Sequence, residues 1–238
     1  MEKLNLLFTK DSVFYQFMRS KSVKEESSFT PDDEVLQDSV LEKLNAVLEK
    51  KTDRITVISA LNHFTMVPEG FSQHDAGYDL IALNAGIDAD KEELMLAVNK
   101  KYGVQFYYTF PKDLYHRLKG KNIPVNFNFS GEKFLSSISP RSGKEIHINL
   151  HHNQCEFFAL NGKKIKLYNN LDMTSEVDFL YFIMFSLSKI DFGINETRFY
   201  VYGETSENET FISELQKFVK QLKIVYDNLP KKKFLINN

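Results

Sequence analysis

EIHINLHHNQCEFFALNGKKIKLYNN, residues 145–170, decides how this 238-residue chain is read. Three apolar-rich runs, EIHINL, CEFFAL and KIKLYNN, are separated by short polar turns. The second turn is Asn161-Gly162, a pair suited to the positive φ values of a tight hairpin. The spacing predicts a three-stranded meander. A helix from about Met173 to Lys189, the strand TRFYVYGE and an amphipathic helix from about Asn208 to Lys223 follow it.

The same order stands earlier in the chain. LNLLFTKDSVFYQFM (4–18) reads as two strands turning at Thr9–Asp11, and KSVKEESSF (21–29) as a polar edge strand or a loop. Thr30-Pro31-Asp32-Asp33 opens a helix with a capping hydroxyl, a first-turn proline and acids against the positive end of the dipole. Val35, Leu36, Val40, Leu41, Leu44, Val47 and Leu48 then recur at helical spacing. RITVISAL (54–61) is the next strand. After it come FTMVPEGF, DLIALNAG, a hairpin over ELMLAVNKKYGVQFYYTF, a short helix at Lys112–Lys119, the strand IPVNFNF and a helix near Gly131–Ser139. SPRSGK (139–144) is the clearest break. The expectation is an α/β chain of two similar lobes, 1–139 and 140–238, repeating in element order rather than in residues. Leu41, Leu44, Val57, Phe158, Phe182 and Phe218 are expected in the two cores. The helix around 177–187, apolar nearly all round, is expected to be sandwiched in the interior.

Bulk composition narrows the function classes. The 42% apolar and 26% charged content is that of a globular domain, with 21 Phe and 11 Tyr supplying the aromatic packing in the absence of Trp. A net charge of -2 offers no basic footprint, so no nucleic-acid partner is expected. One cysteine excludes an internal disulfide and fits a reducing compartment. The N-terminal stretch lacks a continuous apolar core, and the longest apolar cluster, Phe179–Phe185, is too short to span a bilayer. A cytoplasmic protein without a transmembrane segment is the expectation.

Residues 145–160 also hold His147, His151, His152 and Cys155, half of the histidines and the sole cysteine. Alternation puts His147, Asn149 and His151 on one face. His147 and His151 are then about 13 Å apart along an extended strand, too far to share an ion, and a fourth tetrahedral ligand is missing. His151 or His152 could meet Cys155 across the turn, but a cysteine opening an apolar strand reads better as a small buried hydrophobe. His63 and His74 have no serine elbow beside them. Asp75, Asp79, Asp88 and Asp90 are scattered, as loop or cap residues are. Neither a metal nor a cofactor is expected.

The duplicated strand–strand–strand–helix–strand–helix plan resembles the actin-like ATPase superfamily, built on a ribonuclease-H-like core, and within it a bacterial family of unknown function. The hairpin LNLLFTKDSVFYQFM, the segment ISALNHFTMVPEGF and the opening of the second lobe carry this resemblance. The second-lobe opening is similar to that of actin-like proteins such as the pilus-assembly adaptor PilM. YVYGETSENETFISELQKFV resembles the superfamily's adenosine-side strand, loop and helix. The resemblance implies an inter-lobe cleft with Asp11 and Ser12 on the first side, and Asn149, His151, His152, Gly203 and Glu204 on the second. It also implies degraded nucleotide motifs. Asn149 stands where a carboxylate is usual and His151 where a glycine is, with Leu150 and His152 filling the phosphate space. Gly203 is what remains of a double glycine, and Glu204 beside it would repel a phosphate. The expected function is that of a non-catalytic adaptor or scaffold with an unidentified protein or peptide partner. The alternative is a divergent Mg-ATPase using Asp11 and Asn149.

Overall fold

The computed structural model describes residues 1–10, 12–29, 36–71, 76–151, 153–173, 175–228 and 235, with side chains from residue 42 onward in the first helix. Contacts divide the chain into two units, Met1–Glu132 and Lys133–Asn238. The first unit begins with β1 (Glu2–Phe8), β2 (Val13–Arg19), β3 (Ser22–Phe29), α1 (Leu36–Leu48) and β4 (Arg54–Ser59). β5 (Phe64–Pro68), α2 (Ala76–Ala82), β6 (Glu92–Asn99), β7 (Val104–Pro111), α3 (Lys112–Lys119), β8 (Val125–Phe129) and the start of α4 (Ser130–Ser137) complete it. The second unit runs through β9 (Lys144–His151), β10 (Gln154–Asn161), β11 (Lys164–Asp172), α5 (Glu176–Lys189), β12 (Arg198–Gly203), α6 (Glu209–Gln216) and β13 (Leu222–Ile224).

The sheet orders are β3-β2-β1-β4-β8 and β11-β10-β9-β12-β13, the same topology twice. In each, an antiparallel meander places its first strand centrally, and two strands parallel to it follow across helices. This is the expected pair of ribonuclease-H-like lobes, with residues 22–29 settled as a strand. The first unit adds a third sheet, β5-β7-β6, between β4 and α3.

Alternation along each central strand separates a helix-covered apolar face from a mixed one. In the first unit Leu4, Leu6 and Phe8 of β1 pack with Val57 and with Leu44, Val47 and Leu48 of α1. In the second, Ile146, Ile148 and Leu150 of β9 pack with Phe179, Ile183 and Leu187 of α5 and with Ile212 and Leu215 of α6. Leu44, Val57 and Phe158 are buried as expected. The Leu41 side chain and the capping segment 30–35 lie outside the described residues.

Two helices depart from the sequence reading. Val177, Tyr181, Phe182 and Phe185 of α5 are exposed. The helix is not sandwiched, because its buried stripe is Phe179, Ile183 and Leu187, with Leu180 and Met184 packed partly buried beside it. α6 stops at Gln216, since the chain must turn back to lay β13 parallel beside β12. Phe218 falls in that turn and is exposed, whereas neighbouring Val219 is buried. Among the described residues, no helix is long and apolar enough to cross a membrane.

Candidate functional site

β9 carries the residues that organise the second unit's polar face. Glu145, His147, Asn149 and His151 point away from α5 and α6, and all are buried. Their counterparts on the neighbouring strand follow from register, since Glu156 pairs with Asn149, Phe158 with His147 and Gln154 with His151. Burial of so many polar groups demands hydrogen-bond partners. The Asn149 Nδ2 group donates to His151 Nε2 at 2.8 Å and to Glu156 Oε2 at 3.1 Å. The Tyr168 hydroxyl donates to Glu156 Oε1 at 2.7 Å. Asn149 Oδ1 and both amide atoms of Asn170 find no hydrogen-bond partner among the described residues.

Gly203, ending β12, sits beside Leu150 in the parallel ladder. Its φ is +87°, and a Cβ there would lie 2.3 Å from the Leu150 carbonyl oxygen and 2.7 Å from Asn149 Oδ1. The glycine therefore serves close backbone packing. The Glu204 amide donates to the Leu150 carbonyl at 2.9 Å, and the Glu204 carbonyl accepts from Asn208 Nδ2 at 2.7 Å. Asn149, His151, Gly203 and Glu204 thus come together at the ends of β9 and β12. Leu150 does not join them. It belongs to the apolar core, so it cannot fill a phosphate space, because strand alternation sends it to the opposite face. His152 lies outside the described residues.

In the first unit the corresponding turn joins β1 to β2. The Thr9 amide donates to the Ser12 carbonyl at 2.9 Å, the Ser12 amide to Thr9 Oγ1 at 3.0 Å, and the two hydroxyls lie 2.8 Å apart. Ser12 thus closes its own turn. Asp11 lies outside the described residues, as do His74 and Asp75.

Cys155 is fully buried in the apolar core, on the face opposite His151, so that pair does not meet. Burial, reinforced by the Glu156 charge, pushes its thiol far up, opposite to what a nucleophile needs. Among the described residues, no three His, Cys, Asp or Glu side chains gather in a way that could hold a metal. His63 contacts Glu92 at 2.9 Å, and Glu92 also accepts from the Thr109 hydroxyl.

A second polar group, at the other end of β9, escapes sequence reasoning. Arg198 Nη2 lies 2.9 Å from buried Glu145 as an ion pair. His147 stacks on Tyr200 with ring centroids 4.9 Å apart, and its Nδ1 and Nε2 lie 3.1 Å from the Tyr202 hydroxyl and 3.3 Å from Glu145 Oε2. The contact with Glu145 is a hydrogen bond rather than an ion pair. Burial first, then Arg141 and Arg198, push the imidazole down to about 3, while burial raises the Glu145 carboxyl against the pull of Arg198 and Arg141. The neutral ring donates from Nε2 to Glu145 and accepts at Nδ1 from Tyr202, a tautomer assigned from these partners. One signal for the missed residues was available. A glutamate inside the apolar run CEFFAL, or before IHINL, is costly to bury without partners.

The fold is that of the actin-like ATPases, with two ribonuclease-H-like lobes. Residues 6–222 match the family described as "Protein of unknown function (DUF3822)", and the chain belongs to that family. A Bacteroides thetaiotaomicron protein of actin-like ATPase fold and unknown function superposes with a TM-score of 0.79 at 17% identity, covering 100% of this chain and 92% of that one. The PilM-PilN type IV pilus biogenesis complex gives 0.55 at 13% identity over 98% and 92%. AlfA from a B. subtilis plasmid, in its filament structure, gives 0.50 at 10% identity over 100% and 97%. No curated protein matches the sequence.

Proposed function

We propose that this chain is a non-catalytic member of the actin-like fold, acting in the cytoplasm as an adaptor or scaffold for a protein or peptide partner. The observation that carries the reading is that hydrogen-bond donors on the phosphate side are held by neighbouring groups of the chain. Thr9 and Ser12 satisfy each other's amides, so these donors are not presented to an anion. At the matching end of β9, the Asn149 amide is bound to Glu156 and His151. An amide oxygen carries no charge, so it holds magnesium more weakly than a carboxylate does and cannot take a proton from the metal's water. The likeness to PilM, which is seen in complex with PilN, supports a protein partner.

Thermal denaturation with increasing Mg-ATP tests the proposal. A ligand at about 100 times its dissociation constant stabilises the folded state by ~2.7 kcal/mol, an easily measured rise in melting temperature. A flat response through millimolar Mg-ATP is expected. A saturable rise, together with Mg-dependent hydrolysis lost in Asp11→Ala, would establish the divergent ATPase instead.

A further inference from the structure

The Arg141–His147–Tyr200 group borders a pocket of about 300 Å³ whose lining lies wholly within the second unit. We propose that this pocket is a binding site for a compact organic anion bearing one flat ring, its charge on Arg141 and Lys223 and its ring against the aromatic floor. The site is separate from the residues that gather around Asn149 and Gly203, and the inference is independent of the adaptor reading.

The floor is built of His147, Tyr200 and Tyr202, all buried. Stacking of His147 on Tyr200 and the hydrogen bond from the Tyr202 hydroxyl to His147 Nδ1 fix these rings before a ligand arrives. Pre-organisation of this kind removes part of the ordering cost of binding. The imidazole is neutral, so the floor itself adds no charge.

The rim is cationic. Among the described residues, no carboxylate lines the pocket. Buried Glu145, behind the floor, is paired with Arg198. The Arg141 guanidinium donates to the Tyr200 hydroxyl at 2.8 Å and lies 5.0 Å from that ring's centroid. One donor of its fork is thereby used, and the planar remainder suits a carboxylate or phosphate. Lys223 supplies a second cation from β13. Among the described residues, neither lies within ion-pair distance of an acidic side chain, although Arg141 also acts on the Glu145 charge at longer range.

Tyr226 closes the wall on a segment tied to β12. The Val225 amide donates to the Val201 carbonyl, and the Asn228 amide to that of Gly203, both at 2.8 Å. The volume sits at the small end of ligand pockets, which suits one ring and one anionic head and excludes a polymer.

Titration calorimetry on the full chain, with phenyl phosphate, benzoate, inorganic phosphate and phenol as probes, tests this. Phenyl phosphate or benzoate should bind saturably at one site, in the millimolar to upper micromolar range expected for so few atoms. Inorganic phosphate should bind more weakly and phenol not measurably. Which charged probe binds tighter distinguishes phosphate from carboxylate as the natural head group. Arg141→Gln and Lys223→Gln should each weaken binding at least about tenfold, as loss of a charge-assisted contact does. Both residues are exposed, so the variants should keep the parent melting temperature, and Lys223→Gln alone suffices if Arg141→Gln fails to fold. Absence of saturable binding by either ring-bearing anion would overturn the proposal. So would binding unaffected by the substitutions, or phenol binding as tightly as phenyl phosphate.

Discussion

Gly203 shows at the residue scale how a position resembling a ligand motif is constrained by packing. Gly203→Ala combines a φ of +87° with a Cβ 2.3 Å from a backbone oxygen, which no rotamer change relieves. It should cost at least about 3 kcal/mol in chemical denaturation, and a loss below about 1 kcal/mol would contradict the observed packing of β12 on β9. His147 makes a different prediction. Its proton is refused by the folded state down to about 3, but taken up by the unfolded chain near the ordinary histidine value. Its contribution to stability is therefore full above about pH 6.5 and falls as pH drops, by at most about 1.4 kcal/mol per unit. Glu145, with a raised carboxyl, works in the opposite direction: its contribution is full below its ordinary range and declines as pH rises through its folded value. His147→Gln keeps a donor and an acceptor but removes the titration. Urea unfolding of this variant should show a shallower loss between about pH 6.5 and 4 than the parent, and identical profiles would contradict the neutral buried imidazole.

At the scale of elements, strands were more legible than helices. β9, β10 and β11 announce themselves through period-2 alternation and Asn161-Gly162, and Asn149 and His151 were recognisable as sharing a face because one strand carries both. Glu156 was not recognisable as their partner, since that requires the register of β9 against β10. In α5 the aromatics on the outer face mask the 3.6-residue period, so the buried stripe could not be told from the exposed one. The structure separates them. Ile183→Ala, in the core, should cost about 2–5 kcal/mol. Tyr181→Gln and Phe185→Gln, on the exposed face, should each stay within about 0.5 kcal/mol of the parent. Equal losses at the two kinds of site, read from denaturation midpoints, would restore the sandwiched helix.

For the whole molecule, the duplicated plan was readable because element order and handed, unthreaded connections leave few sheet arrangements available. The β5-β7-β6 sheet was not, because a local hairpin does not say which third strand will join it. The same duplication frames the last prediction. Asn149→Asp with His151→Gly restores the residue types expected at an active phosphate turn, yet it should produce no ATP hydrolysis. Asn149 is buried and donates to Glu156, so the first substitution exchanges a donor for a second carboxylate about 3 Å away. The variant should be less stable than the parent, increasingly so as pH rises and both carboxylates must be charged. His151→Gly removes the acceptor of the other Asn149 hydrogen bond, without freeing the first unit's Thr9 and Ser12 amides. Groups that act as one catalytic unit do not recover one at a time. Mg-dependent phosphate release by the double variant, above that of the parent, would show that a single turn suffices and that the chain stands one step from an ATPase.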